Sequence, residues 1–143
     1  MKFGLLDELQ LPRPWDNRAE HRMIHEALAE VEIADQPDFD CVWANEHHCL
    51  EEYSHSSAPE VFLAAAAAWT KQIHIGHAVV LSPPGYNPPA LVAERIATLD
   101  LISSGRVEWG TGQSASAPNW KGSASSRRPS GRNGRRPPNR RRI

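Results

Sequence analysis

Four short apolar segments alternate with three helix-patterned segments along this chain, and that alternation constrains the fold more than any other feature. Residues 2–6, 39–44, 73–81 and 107–110 have the length and β-branched content of strands. Between the first two, Ile24, Ala27, Leu28 and Val31 follow the i, i+3, i+4, i+7 spacing of an amphipathic helix, with Asn17 and Glu20 at capping-box spacing and Pro37 as the stop. Residues 61–72 are alanine-rich, preceded by Ser57 and Glu60 at the same spacing and by Pro59 in the first turn. A third helix is expected over 88–103, with Asn87 as cap, Val92, Ile96 and Leu99 on one face and Gly105 as stop. Strands alternating with helices require a parallel sheet with right-handed crossovers, so the fold class is α/β. In such sheets chemistry gathers at the C-terminal ends of the strands.

Those ends carry Glu46, His47 and His48 after the second strand, Ala78 to Leu81 on the third, and Thr111 to Gln113 after the fourth. A carboxylate beside two imidazoles suits proton handling near neutral pH. Adjacent strand residues point to opposite faces, so His47 and His48 are poorly placed to share one metal ion, and no metal site is expected. His74 and His77 are expected as strand histidines with satisfied hydrogen bonds, His55 as a loop-stabilising or solvated residue, and Glu94 and Arg95 as a surface or interhelix pair. Cys41 and Cys49 read as free thiols. The start, with Asp7 and Glu8 ahead of any long apolar run, is not that of a signal peptide, and no segment approaches the roughly 20 apolar residues of a membrane helix. A cytoplasmic protein is expected.

Charge divides the chain. Residues 1–113 hold all 17 acidic residues and seven Lys plus Arg, whereas 114–143 hold nine Lys plus Arg and no acid. The tail lacks apolar periodicity and cannot bury enough surface to offset its ordering entropy. An arginine-rich nucleic-acid arm and a solubilising disordered tail both fit this composition. A third origin, translation in a shifted frame, is preferred. Asn119-Trp-Lys requires the codons AAY-TGG-AAR, and their third-base frame forces Leu-Glu. The shift would fall between Ser114 and Pro118, which separates residues 1–114 from a basic tail over 115–143.

Several segments together are similar to the bacterial-luciferase-like flavin-dependent monooxygenases. They are Lys2-Phe-Gly; Phe39-Asp-Cys-Val-Trp leading into Glu46-His-His; Glu51-Glu-Tyr-Ser-His-Ser-Ser-Ala-Pro-Glu; Ile75-Gly-His-Ala-Val-Val-Leu; and Glu94-Arg-Ile-Ala-Thr-Leu-Asp followed by Gly105-Arg-Val-Glu-Trp-Gly-Thr-Gly. Each alone is weak, but their order and spacing are specific, and the likeness covers residues 1–114. It implies a (β/α)₈ barrel, of which these residues are about the first three and a half units; a full barrel takes about 250 residues. It implies reduced FMN, or in some members a deazaflavin, as cofactor; O₂ and a small organic molecule as substrates; and a flavin reductase as the source of reduced flavin. Relatives in the family often dimerise.

By the same resemblance, His47 is the histidine that manages protons beside the flavin, supported by Glu46 and His48. Ala78 and Val79 are the pair whose backbone lies against the isoalloxazine ring, often through a cis peptide, and Gly110, Thr111 and Gly112 line the flavin from the next strand. Relatives usually have Gly before Phe39-Asp, where this chain has Gln36-Pro-Asp, and many have Arg where it has Gln113. The family's flavin phosphate site lies in later barrel units. The function expected by descent is a flavin-dependent monooxygenase, truncated and inactive alone. The alternatives are a non-catalytic fragment or pseudogene product, and nucleic-acid binding through the tail.

Overall fold

The computed structural model describes residues 1–36, 39–82 and 86–113. In chain order it forms β1 (Gly4–Asp7), α1 (Ala19–Ala34), β2 (Cys41–Ala44), α2 (Pro59–Trp69), β3 (His74–Leu81), α3 (Pro89–Ser103) and β4 (Val107–Gly112). The four strands make one parallel sheet in the sequential order β1-β2-β3-β4. With right-handed crossovers, sequential order puts all the connecting helices on one face, as in a barrel wall; a doubly wound sheet reverses its strand order and carries helices on both. The expected basic tail, and Pro37 and Asp38 ahead of β2, lie outside the described residues. Among the described residues no helix is long and apolar enough to cross a membrane.

Register separates the two faces. Leu5, Val42, Ile75 and Val107 align across the sheet and pack with Leu28, Val31, Leu63 and Ala66 from the helices. This row faces the helix layer. One residue on, Leu6, Trp43, Gly76 and Glu108 align on the opposite face. The alanines of α2 serve close approach, with Ala66 fully buried.

The helix boundaries differ from their sequence signals in instructive ways. Asn17 does not cap α1. Asp16 does that work, its Oδ1 accepting from the Arg18 N–H at 2.8 Å and its carbonyl from the Ala19 N–H at 3.2 Å. Ile24 is exposed and Met23 is buried instead, so the apolar stripe is Met23, Ala27, Leu28 and Val31. Ala58, not Ser57, precedes α2 and gives no side-chain cap. Asn87 turns back to donate from Nδ2 to the Leu81 carbonyl at 2.8 Å, tying the entry of α3 to the end of β3. Gly105 does follow the helix stop, at φ 82 after Ser104 at φ 60.

One side chain binds the layers together. Arg106, just before β4, donates from Nε to the Ser103 carbonyl at 2.7 Å and from Nη1 to Thr70 Oγ1 and the Ile73 carbonyl, both at 2.9 Å. Its Nη2 reaches the carbonyls of Ala67 at 2.8 Å and Thr70 at 3.3 Å. The guanidinium therefore satisfies carbonyls at the C-terminal end of α2, where a cation also meets the negative end of the helix dipole. Asp35 completes the corner by accepting the backbone N–H groups of Lys71, Gln72 and Ile73 at 2.7–2.8 Å. Burial works against its charge, but these three donors and Arg106 hold its carboxyl below the usual carboxylate range. Replacing Arg106 by Ala is expected to cost roughly 3 kcal/mol, since several carbonyls lose a charged donor. Arg106→Lys should recover less than half, because an ammonium cannot reproduce the fork. Urea unfolding checks both values.

Candidate active site at the strand ends

Beyond β2 the chain is held by its own loop. The His47 N–H donates to the Ser56 carbonyl at 2.8 Å, and Ser56 Oγ donates to the Asn45 carbonyl at 2.6 Å. Asn45, Ser54 and Ser56 are all buried. This polar seam fixes the backbone on which Glu46, His47 and His48 ride. The half-buried His47 ring meets Tyr53 edge-on at 5.5 Å between centroids, and Tyr53 in turn donates to Glu8 Oε1 at 3.0 Å. His47 thus lies with the loops that follow β1 and β2. His55 pairs with Glu20 at 2.7 Å and meets Trp15 edge-on, a loop-stabilising role.

Glu46 and His48 turn elsewhere. Glu46 is 9% exposed; its Oε2 accepts the Leu81 N–H at 2.8 Å, and its Oε1 contacts His48 Nε2 at 3.0 Å and accepts from Tyr86 at 3.3 Å. This carboxylate ties the end of β2 to the end of β3 and to the approach of α3. Glu46 and His48 line a cavity of about 190 Å³ with His77, Tyr86 and residues of α2 and α3, and His47 is not among its lining residues. The three adjacent polar residues therefore serve two places.

Ala78, Val79, Gly110, Thr111 and Gly112 come together as neighbours across β3 and β4. The Ala78–Val79 peptide bond is cis, and the β3–β4 register shifts between His77 and Val80 before resuming with Val80 opposite Thr111. Val79 lies over both glycines: a Cβ on Gly110 would stand 2.7 Å from the His77 carbonyl oxygen and 3.3 Å from Val79 Cγ1, and one on Gly112 2.8 Å from Val79 Cγ2. Ala78, Val79, Gly110 and Gly112 remain half-buried. Backbone and short apolar side chains form this surface, which suits a flat ring system better than a charged ligand.

On the face away from the helices, the Trp43 indole lies across its glycine neighbours. A Cβ on Gly76 would fall 2.5 Å from Trp43 Cε3, and one on Gly4 3.1 Å from Cδ1. Around the strand ends as a whole, sequence reasoning missed four residues: Tyr53, and Glu60, His77 and Tyr86 on the helix side. For His77 a signal existed, because it is two positions beyond the helix-facing Ile75 and a strand repeats every two residues. Tyr86 sits in a Pro/Gly loop, where spacing carries no orientation. His74 behaves as expected, pairing with Glu108 at 3.2 Å, but His77 does not: its Nδ1 is buried without a hydrogen-bond partner.

A singly wound parallel sheet with its polar and glycine-rich residues gathered at the strand ends defines an α/β barrel-type enzyme architecture. A profile of the luciferase-like monooxygenase family matches residues 1–135, and the chain belongs to that family. The match runs past residue 114, into residues outside those described. Limonene 1,2-monooxygenase from Rhodococcus erythropolis is 39% identical over 113 residues, covering 77% of this chain and 28% of that protein. The oxygenase component of a flavin-dependent trigonelline monooxygenase from Acinetobacter baylyi is 29% identical over 117 residues, covering 80% and 31%. Among solved structures, monooxygenase RslO1 from Streptomyces bottropensis superposes with a TM-score of 0.76 at 32% identity, over 87% of this chain and 36% of that one. The chain thus spans about a third of the length of each of these proteins.

Gly76 offers a direct test of the packing beneath the strand ends. Gly76→Ala is expected to lower stability by about 1–3 kcal/mol, because the new methyl must displace the indole. Combining it with Trp43→Leu should remove most of that penalty relative to Trp43→Leu alone, a coupling that urea unfolding of the four proteins measures.

Proposed function

We propose that this chain forms the first wall of a flavin-dependent monooxygenase, in which reduced FMN and O₂ oxygenate a small organic molecule and a separate flavin reductase supplies the reduced cofactor. One observation carries the proposal: in a chain of this family, Ala78, Val79, Gly110 and Gly112 meet in a half-buried apolar surface at the strand ends, with Thr111 exposed between the two glycines. The flavin, when bound, supplies the activation of oxygen and its transfer. Val79 and the two glycines would support the flat ring, since any side chain at 110 or 112 would collide with β3. His47, braced edge-on by Tyr53, would hold or move a proton near that ring. Glu46 and His48 would act as positioning residues, because their hydrogen bonds hold the end of β3 and the approach of α3.

A single four-stranded wall contacts one side of a ligand, so the 143-residue chain is expected to bind FMN with a dissociation constant well above ~1 μM and to turn over no substrate. Flavin fluorescence during titration with FMN measures this. Weak binding that Gly112→Val reduces at least fivefold supports the proposed surface. Weak binding indifferent to that change removes the surface from the proposal. Micromolar binding by the chain overturns its dependence on further barrel units, and a preference for a deazaflavin replaces the cofactor.

The basic tail is proposed to arise from a shifted reading frame beginning between Ser114 and Pro118. The family match, which continues to residue 135, makes the gene's nucleotide sequence the deciding observation. An alternative frame from codon 114 onward is expected to encode Leu-Glu at the position of Asn119 to Lys121 and to continue as luciferase-like sequence. Stop codons or unrelated sequence in that frame would sink the idea.

A further inference from the structure

The sheet is open along both of its sides, and the two open sides match. Asp40 donates its N–H to the Phe3 carbonyl at 2.8 Å, so the odd-numbered residues of β1 turn their backbone groups to β2. Those groups alternate along a strand, which leaves Gly4 and Leu6 turned outward. On the other side, Ile75 donates to the Arg106 carbonyl at 2.9 Å and Ser82 to the Gly112 carbonyl at 3.0 Å, so the even-numbered residues of β4 face β3. Trp109 and Thr111 are therefore turned outward. Among the described residues no strand pairs with either row. Exposed apolar side chains accompany both edges, Phe3 and Leu6 on one and Trp109 on the other. Such edges are templates for pairing with another chain.

Strand number and charge select that other chain. The sheet is one wall of a (β/α)₈ barrel, and its four strands are half of the eight such a barrel needs. A βα unit takes about 30 residues, so residues 114–143 cannot supply four more. A second copy supplies four strands. A two-fold axis along the barrel keeps every strand pointing the same way, so β4 of each copy meets β1 of the other in parallel and no edge is left. Charge is complementary in the same arrangement. Asp7, Glu8, Glu26 and Glu30 line a groove between β1 and α1, beside the open edge. Among the described residues none of these four is in an ion pair. Burial and the charge of Glu30 raise the Asp7 carboxyl above its usual range, against the Leu9 N–H, which lowers it. Cations follow β4, because residues 114–143 hold nine Lys plus Arg and no acid. Asp7 and Gly112 both end their strands. Pairing across copies therefore starts each basic segment beside the acidic groove of the other copy, whereas within one copy it starts at the opposite side of the sheet.

We propose that two copies of the 143-residue chain close into one eight-stranded ring, with β4 of each against β1 of the other and each basic segment against the acidic edge of the other copy. The proposal does not depend on flavin binding, so a failed FMN titration leaves it standing. Sedimentation equilibrium of the chain is expected to give twice the chain mass. In the dimer, the amide protons of Leu6 and Trp109 should exchange with solvent at least about tenfold more slowly than in the dilute monomer. Glu26→Gln combined with Glu30→Gln, both at exposed positions, should raise the dissociation constant at least about fivefold and flatten its dependence on salt. Leu6→Pro removes an N–H that has no strand partner within one copy, so it should leave the monomer folded and abolish the dimer. Leu91→Glu and Ile102→Glu, at exposed positions of α3, should leave the dimer unchanged. If Leu6→Pro does not fold, the exchange rates and the glutamine variant decide. A monomer at every concentration up to about 0.5 mM would overturn the proposal. So would an open ladder of larger oligomers, a dissociation constant unchanged in the glutamine variant, or a dimer broken by Ile102→Glu with Leu6 and Trp109 amides unprotected.

Discussion

The guanidinium of Arg106 is the constraint around which the layers are arranged. Three backbone elements end at one corner: α2 at its C-terminus, the turn into β3, and α3 where it breaks at Ser104 and Gly105. Each arrives with carbonyls that no helix or strand partner satisfies. Arg106 answers these carbonyls with a planar fork, and Asp35 answers the opposing N–H groups of residues 71–73 from the far side. The two side chains carry opposite charge and attract across the turn. The corner sets where β3 begins, so it also sets which residues of β3 face the helices and which face away.

That division matters because β3 serves both faces of the sheet at its upper end. Ile75 and His77 face the helix layer, while Gly76 lies under the Trp43 indole on the other side. After His77 the register with β4 shifts, and Val79 settles over Gly110 and Gly112. The glycines are required by volume. Each would drive a Cβ into β3 at a distance real contacts do not reach, so the flat surface and the tight strand pairing have one cause.

Much of the fold was legible in the sequence because its signals are local and periodic. Strand and helix order follow from alternating patterns, and all seven elements stand where the patterns put them, with small shifts at the ends: β1 begins at Gly4 and β4 continues to Gly112. The caps were less legible. Asn17, Ser57 and Asn87 each have the right chemistry at the right spacing, yet each position is decided by what the third dimension offers. Asp16 lies closer to the first free N–H groups of α1, and Asn87 finds the Leu81 carbonyl. The candidate site divides in the same way. That polar residues gather at strand ends follows from topology, but the separation of His47 from Glu46 and His48 depends on side-chain direction outside a regular strand, where no periodicity operates.

The buried carboxylate of Glu46 shows how much its partners add to what residue type alone says. A carboxylate next to histidines looks like an acid or base, and here both of its oxygens are also engaged. It accepts the Leu81 N–H, contacts His48 and receives the Tyr86 hydroxyl. Those contacts tie β2, β3 and the approach of α3 into one piece. The half-buried His47 ring meets Tyr53 through an aromatic edge and does not line the cavity beside that clamp. The Glu46–His48 pair gives the strand ends a stable shape, and the proton-handling role proposed for His47 is one that this clamp would support without sharing.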